Sequence, residues 1–343
     1  MLSRAVLTGQ RVRELADAIR KVKVCVVGDI CLDLYWYADM RRSRLSRETP
    51  HFPLPVVQER SAPGGGGNVV ANVRALGVAR LLPVSMIGED WRGFLLKNCL
   101  AEQGIEDSYI LPSGHWQTPC YCKPMRMGLS DVVYEDPRLD FENLSPMRAE
   151  DEARVLKALE RAAPQADVIA VSDQCGCGVI TPAVRKRLSD LAGDRPVIVD
   201  SRERIADYTG VIIKPNEVEA AVAAGWDITG RQLSIEEYAK IGGTLRARTG
   251  KPVVITLGER GALWCDESGA VLADTVKAEP PVDIVGAGDT FLSAFSCALA
   301  AGAQGGEALA FANLASAVTV KKIGTTGAAG MEEILQKYQE YYA

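Results

Sequence analysis

Five short runs of almost wholly apolar residues punctuate the chain, at Val22-Lys23-Val24-Cys25-Val26-Val27, Val168-Ile169-Ala170-Val171, Val197-Ile198-Val199, Val211-Ile212-Ile213 and Val253-Val254-Ile255. A strand with one wet face alternates polar and apolar residues; a run without alternation is buried on both faces and needs helices above and below it. The intervening stretches supply them. Asp151 to Ala162, Pro182 to Ala192 and Ile235 to Thr249 read as helices, and a polar amphipathic helix around Val12 to Lys21 precedes the first run. Strands alternating with helices at this spacing predict βαβ units with right-handed crossovers, hence an α/β fold with a doubly wound, mostly parallel sheet. Several runs end in polar residues, which places functional groups at the carboxyl edge where such sheets bind ligands.

Two stretches break this rhythm. Asp33 to Val57 contains Leu34-Tyr35-Trp36-Tyr37 and Pro53-Leu54-Pro55-Val56-Val57, and Thr118 to Tyr134 is again strand-like, with prolines at 119 and 124. Aromatic, proline-punctuated short strands outside the parallel repeat predict a small separate β-sheet. The expected organisation is one domain over 1–343, with strands from about 33–57 and 118–134 inserted in it.

The most chemically loaded segment lies late in the chain, where Gly286-Ala287-Gly288-Asp289-Thr290 opens into an apolar helix. Glycines let consecutive N–H groups converge, and a helix N-terminus adds partial positive charge, so this turn suits an anion such as a transferring phosphoryl group. Asp289 beside such an anion would be repulsive unless it had a task, and accepting a proton from an attacking hydroxyl is one. A helix cap is the other reading of the same aspartate.

Composition fits an ordinary globular enzyme: 343 residues, 47% hydrophobic and 24% charged. A net charge of −5 argues against nucleic acid as the main partner. No run approaches the roughly 18 apolar residues that span a bilayer, and Met1 to Gln10 lacks a secretory apolar core, so the expectation is a cytoplasmic protein without a membrane partner. Nine cysteines, an odd number, fit reduced thiols; Cys120-Tyr121-Cys122 and Cys175-Gly176-Cys177 lack the usual zinc spacing. Neither a Walker A pattern nor G-x-G-x-x-G occurs, which removes the main support for a P-loop enzyme or a conventional dinucleotide-binding dehydrogenase.

Three motifs in order, Gly64-Gly65-Gly66-Gly67-Asn68, Lys214-Pro215-Asn216-Glu217-Val218-Glu219 and Gly286-Ala287-Gly288-Asp289-Thr290, resemble the signatures of the ribokinase (PfkB) family of carbohydrate kinases, with similarity from about residue 22 to 335. The resemblance implies an ATP- and Mg²⁺-dependent kinase acting on a sugar or sugar phosphate, with Asp289 as base and Gly286, Ala287 and Gly288 as the anion turn. It implies that Asp33, Gly64, Gly65 and Asn68 contact the sugar beneath a β lid, which also forms a homodimer contact. For the nucleotide it implies Lys214, Asn216, the loop of Thr256, Gly258, Glu259 and Gly261, and Asn313. Asn216 and Glu219 would orient waters around Mg²⁺, although Asn at a cap with Glu three residues later equally fits a capping box. The segment Lys321 to Ala328, with Gly324 in it, together with backbone near Asp283 and Val285, resembles the family's loop for a monovalent cation such as K⁺.

Within the family, Gly28 to Tyr37, Ser43 to Pro50 and Arg138 to Glu142 resemble the heptose 7-phosphate kinases, although Ser46-Arg47-Glu48 and Asp173-Gln174-Cys175-Gly176-Cys177-Gly178 depart from their pattern. Arg41, Arg42, Arg44 and Arg47 in the first lid stretch, and Lys123 and Arg126 in the second, suit an acceptor that already carries phosphate, with Arg44 and Arg126 the chosen contacts. A solvated basic face is the alternative. A simple hexose or nucleoside kinase of the same fold, or a non-catalytic sugar sensor, remain rival readings of the whole.

Overall fold

The computed structural model describes residues 2–128, 130–324 and 327–342. Its first half contains β1 (Leu2–Arg4), α1 (Gly9–Ile19), β2 (Lys23–Gly28), β3 (Ile30–Asp39), β4 (Val56–Gly65), α2 (Gly66–Ala75), β5 (Arg80–Gly88), α3 (Trp91–Glu102), β6 (Ile110–Ser113), β7 (Cys120–Met127), β8 (Tyr134–Glu135), β9 (Leu139–Phe141) and α4 (Ala149–Ala162). The second half contains β10 (Val168–Asp173), α5 (Pro182–Leu191), β11 (Val197–Ser201), β12 (Ile212–Ile213), α6 (Glu217–Ala224), α7 (Ile235–Thr249), β13 (Val253–Thr256), β14 (Ala262–Asp266), β15 (Gly269–Ala273), α8 (Ala287–Ala300), α9 (Gly305–Thr319) and α10 (Met331–Tyr342).

All five apolar runs are strands of one ten-stranded sheet, in the order β1-β15-β14-β13-β12-β11-β10-β2-β5-β6. Pairing from β13 through β6 is parallel, and only the β13-β14-β15 meander is antiparallel. The missing alternation has the predicted cause. Val24 and Val26 of β2 pack into the core on one face, whereas Cys25 and Val27 pack into the core on the other. Helices α8 and α9 are themselves mostly buried, as expected of segments apolar on most sides.

The lid strands form a second sheet, ordered β4-β3-β7-β8 with β9 also on β7. Its boundaries differ from the sequence expectation. Residues 43–55 hold no strand, β4 begins only at Val56 and runs on through Gly64 and Gly65, and β9 lies beyond residue 134. The glycines explain the extension: Gly64 lies against Asp33, where a Cβ would stand 2.6 Å from the carboxylate, and Gly65 turns the chain at φ 53° directly into α2. Helix α2 therefore starts at Gly66, three residues before the apolar run that signalled it.

All nine cysteines are free, and among the described residues no group of three or more His, Cys, Asp or Glu side chains is placed to hold a metal. No helix is long and apolar enough to cross a membrane among those residues.

Candidate functional site

Strands β2, β10, β11 and β13 and the segment after β12 deliver Asp29, Asp173, Asp200, Thr256 and Lys214 to one edge of the large sheet. Two of these serve the scaffold. Asp29 is fully buried and accepts N–H bonds from Gln174, Cys175 and Val179 at 2.9, 2.8 and 2.6 Å, which fastens the loop after β10. Burial pushes its carboxyl up to about 6 against the pull of those donors. Asp173 is held by Ser201, Tyr208 and Arg204.

Asp289 is the third residue of α8, and the cap position belongs to Gly286, which adopts φ 80° and supplies no side chain. The aspartate is thus inside the first turn, and its Oδ2 accepts from Nδ2 of Asn68 at 2.8 Å. Asn68 occupies the equivalent third position of α2, so the N-termini of α2 and α8 converge on the same carboxylate. Asn72, one turn on, fixes Asn68 by donating to its Oδ1 and carbonyl at 3.1 and 2.9 Å, and accepts from Thr290 Oγ1 at 3.0 Å and the Ala329 N–H at 3.3 Å. Asn72 was legible only as a residue one turn from Asn68; its bridging role depends on α2 meeting α8.

Although part of Asp289 reaches solvent, the surrounding protein raises its carboxyl to about 7, chiefly through burial, with the Asn68 bond opposing and Asp200 assisting. Lys214 is buried and pairs with Asp200 at 2.9 Å, placing one compensated cation nearby.

Asn216 and Glu219 form the capping box of α6: Asn216 Oδ1 accepts from the N–H groups of Val218 and Glu219, both at 2.9 Å, and Glu219 Oε2 accepts from Asn216 N–H at 2.8 Å. Burial nevertheless raises the Glu219 carboxyl, with Asp200 adding to the effect. Thr256 bridges to Asn216 across the strand ends. Beyond it, Gly258 and Gly261 take φ 56° and 91°, conformations that side chains rarely adopt, around the exposed Glu259. Asn313 is buried and uses its amide to donate to the carbonyls of Ala273 and Asp274 at 3.1 and 3.0 Å, which secures the end of β15.

At the lid, Asp33 on β3 faces Lys123 on the neighbouring parallel strand β7. Lys123 Nζ lies 3.5 Å from Asp33 Oδ2 and 3.1 Å from Tyr35 Oη, with all three residues buried. Burial alone would lower the Lys123 ammonium, yet Asp33 and Tyr35 together hold it above its ordinary value, so it stays charged. The other lid cations are placed differently. Arg126 pairs with Asp136 at 2.8 Å, Arg41 and Arg42 pair with Asp39, and Arg44 is exposed with no hydrogen bond or ion pair among the described residues. Arg138 and Arg60 also bear on the Asp33 charge.

Residues 21–330 match the family described as pfkB family carbohydrate kinase. The chain belongs to that family. This carbohydrate kinase is 32% identical over 321 residues to the bifunctional protein HldE of Trichlorobacter lovleyi, covering 92% of the kinase and 62% of that protein. It thus spans just under two thirds of that relative's length. Among solved structures, the kinase resembles Arabidopsis thaliana ribokinase complexed with ribose and ATP, with TM-score 0.69, 19% identity and coverage of 92% and 98% of the two chains. It also resembles Escherichia coli phosphofructokinase-2 in complex with potassium, with TM-score 0.68, 18% identity and coverage of 94% and 100%.

Proposed function

We propose that this kinase transfers the γ-phosphoryl group of ATP to a hydroxyl of a sugar that already carries a phosphate, of the heptose 7-phosphate type. One observation carries the phosphoryl-transfer reading: Asp289 and Asn68 meet where two helix N-termini converge. Ionised Asp289 accepts the acceptor hydroxyl's proton, and a carboxyl near 7 is matched to that work at neutral pH. The N–H groups of Gly286 and Gly288 face the developing charge, where preorganised dipoles are most effective, whereas that of Ala287 donates to the Ile284 carbonyl at 3.1 Å and holds the turn in shape.

The acceptor sugar lies between Asn68 and Asp33, with Gly64 and Gly65 allowing close backbone approach. Lys123 is the buried cation at this end, and Arg44 and Arg126 lie farther along the lid. Lys214, Asn216, Thr256, Gly258, Glu259, Gly261 and Asn313 border the nucleotide side.

The donor set fits a hydrated magnesium ion: burial raises the Glu219 carboxyl and Asp200 lies close enough to add to that rise, so two carboxylates face a site suited to Mg²⁺ that keeps its waters and shares substrate phosphates. Glu219 and Asn216 would hold it through water, and the ion would neutralise charge on the phosphates. The exposed Val56, Val57, Tyr134 and Leu139 leave apolar area on the lid, and the reading includes a second copy of the chain as its cover.

An ADP-release assay across sugars and their phosphates tests the proposal. A heptose 7-phosphate or similar acceptor turned over far faster than its unphosphorylated parent supports it. Equal efficiency on the two overturns the acceptor-phosphate part, and no ADP release with any acceptor overturns the kinase reading of the site.

A further inference from the structure

Arg60 of β4 stands opposite Tyr35 in the lid register, and its guanidinium lies over the Tyr35 ring, 4.1 Å from the centroid. Its Nη2 leaves the lid altogether and donates to the carbonyl of Gly324, 264 residues away. Nε of Arg60 is buried and has no partner among the described residues. An arginine held by stacking on one side and, among the described residues, by one carbonyl on the other is an expensive way to decorate a lid, because burying an unpartnered donor is costly.

The carbonyl it takes is not an arbitrary one. Gly324 donates its own N–H to Asp283 Oδ2 at 2.9 Å, and Asp283 Oδ1 accepts from the N–H of Val285 at 3.0 Å. Val285 directly precedes Gly286, the cap of α8. A continuous set of contacts therefore runs from the lid through Gly324 and Asp283 to the glycine turn that carries Asp289.

This is also the loop that the resemblance assigned to K⁺; its Thr325 and Thr326 lie outside the described residues, and several of its described oxygens are already engaged. Both carboxylate oxygens of Asp283 already accept N–H bonds, and the Gly324 carbonyl holds Arg60. Three nearby carbonyls also accept from cations of this chain: Lys321 Nζ donates to Glu279 and Pro281 at 2.7 and 3.1 Å, and Lys322 Nζ to Ala328 at 2.6 Å.

We propose that Arg60 is the built-in cation of this loop, a positioning residue that braces the glycine turn from the lid and makes the kinase independent of monovalent cations. A guanidinium is charged at every working pH, so it can supply permanently the single positive charge that an alkali ion would bring. It differs from an ion in being attached to β4, so the lid cannot lift without releasing Gly324. Closure over the acceptor and bracing of the turn thereby become one event, a coupling between two sites through contacts each can bias.

The inference rests on the kinase reading for its activity arm but not for its binding arm. The experiment compares the full chain with Arg60→Ala and Arg60→Lys in buffers of equal ionic strength containing choline, Na⁺ or K⁺, reading ADP release and thermal melting in parallel. Wild type should show the same rate and melting temperature in all three. Arg60→Ala should lose about ten-fold in kcat/KM in choline, a typical cost of slightly misplaced groups. Adding K⁺ should return part of that loss and raise its melting temperature over choline. Arg60→Lys should retain the wild-type indifference to the ion. A wild type that needs K⁺ for most of its rate overturns the proposal, as does an Arg60→Ala variant whose rate and melting ignore K⁺. If no acceptor is turned over, the kinase reading fails, while the melting comparison still decides the cation question.

Discussion

The candidate site is built by different contacts at its two ends. At one end Asp289 and Asn68 occupy matching third positions of α8 and α2, and each is announced by a glycine turn within three residues of it in the chain. At the other end Asp33 and Lys123 meet through the parallel register of β3 and β7, which sets Asp33 beside Tyr121 and Tyr35 beside Lys123. In the first, each residue's own placement is local and survives in a short motif, although the contact itself joins residues 221 apart in the chain. The second depends on which of two distant strands lie side by side, and no short motif encodes that choice.

The sharpest way to break the comparison is Asp289→Asn. The substitution should lower turnover by about 10² to 10⁴, the range for losing a general base. It should not unfold the protein. Asp289 has its carboxyl raised from 3.8 to about 7, so the folded state binds more protons than the unfolded one between those values, and stability falls as pH rises through that window. Asparagine removes this loss while its amide oxygen can still accept from Asn68. The variant should therefore melt higher than wild type at pH 8, and a lower melting temperature there would mean that the carboxylate is chiefly structural.

Lys123→Met probes the lid end. Losing a charge-assisted bond of about 1.5 to 3 kcal/mol should cost roughly ten- to a hundred-fold in kcat/KM for a phosphorylated acceptor, with a much smaller loss for its unphosphorylated parent. An equal loss on both would show that Lys123 merely steadies Asp33. A third measurement, the pH profile, returns to the helix end: kcat/KM should rise with pH to a plateau, bending at about pH 7 as Asp289 ionises. A flat profile from pH 5.5 to 8.5 would remove Asp289 from the proton transfer.

How much of this was readable in advance follows the same division. The parallel strands were legible because burial on both faces suppresses alternation, and Ile235 to Thr249 coincides with α7, whose ends carry the Ser234 capping box and Gly250. The three exposed residues of β1 include one apolar side chain, Leu2, too little for a periodic signal, and their strand exists because β15 offers an edge. The pair Asn216 and Glu219 had two readings, and the capping box is the one visible in the hydrogen bonds. Asn216→Ala should cost about 0.5 to 2 kcal/mol of stability as a lost cap. Any accompanying rise in the Mg²⁺ concentration needed for half-maximal rate would measure its separate service to the metal.

The smallest expected effect belongs to Arg44, and it separates a charge read from composition from a charge placed by register. Arg44 sits in the strandless stretch 43–55, exposed and without a described partner, whereas Lys123 is locked beneath Tyr35 and beside Asp33. An exposed cation interacts across high dielectric and is screened by salt, so its pull on an acceptor phosphate is worth about 1 kcal/mol or less. Arg44→Ala should accordingly raise KM for a phosphorylated acceptor several-fold at most, leave kcat alone, and lose even that effect in high salt. Lys123→Met should keep its defect at every salt concentration. If instead Arg44→Ala proved the more damaging and its defect ignored salt, the 43–55 stretch would have to fold down over the acceptor during turnover, and the phosphate contact would belong to the mobile edge of the lid rather than to its strands.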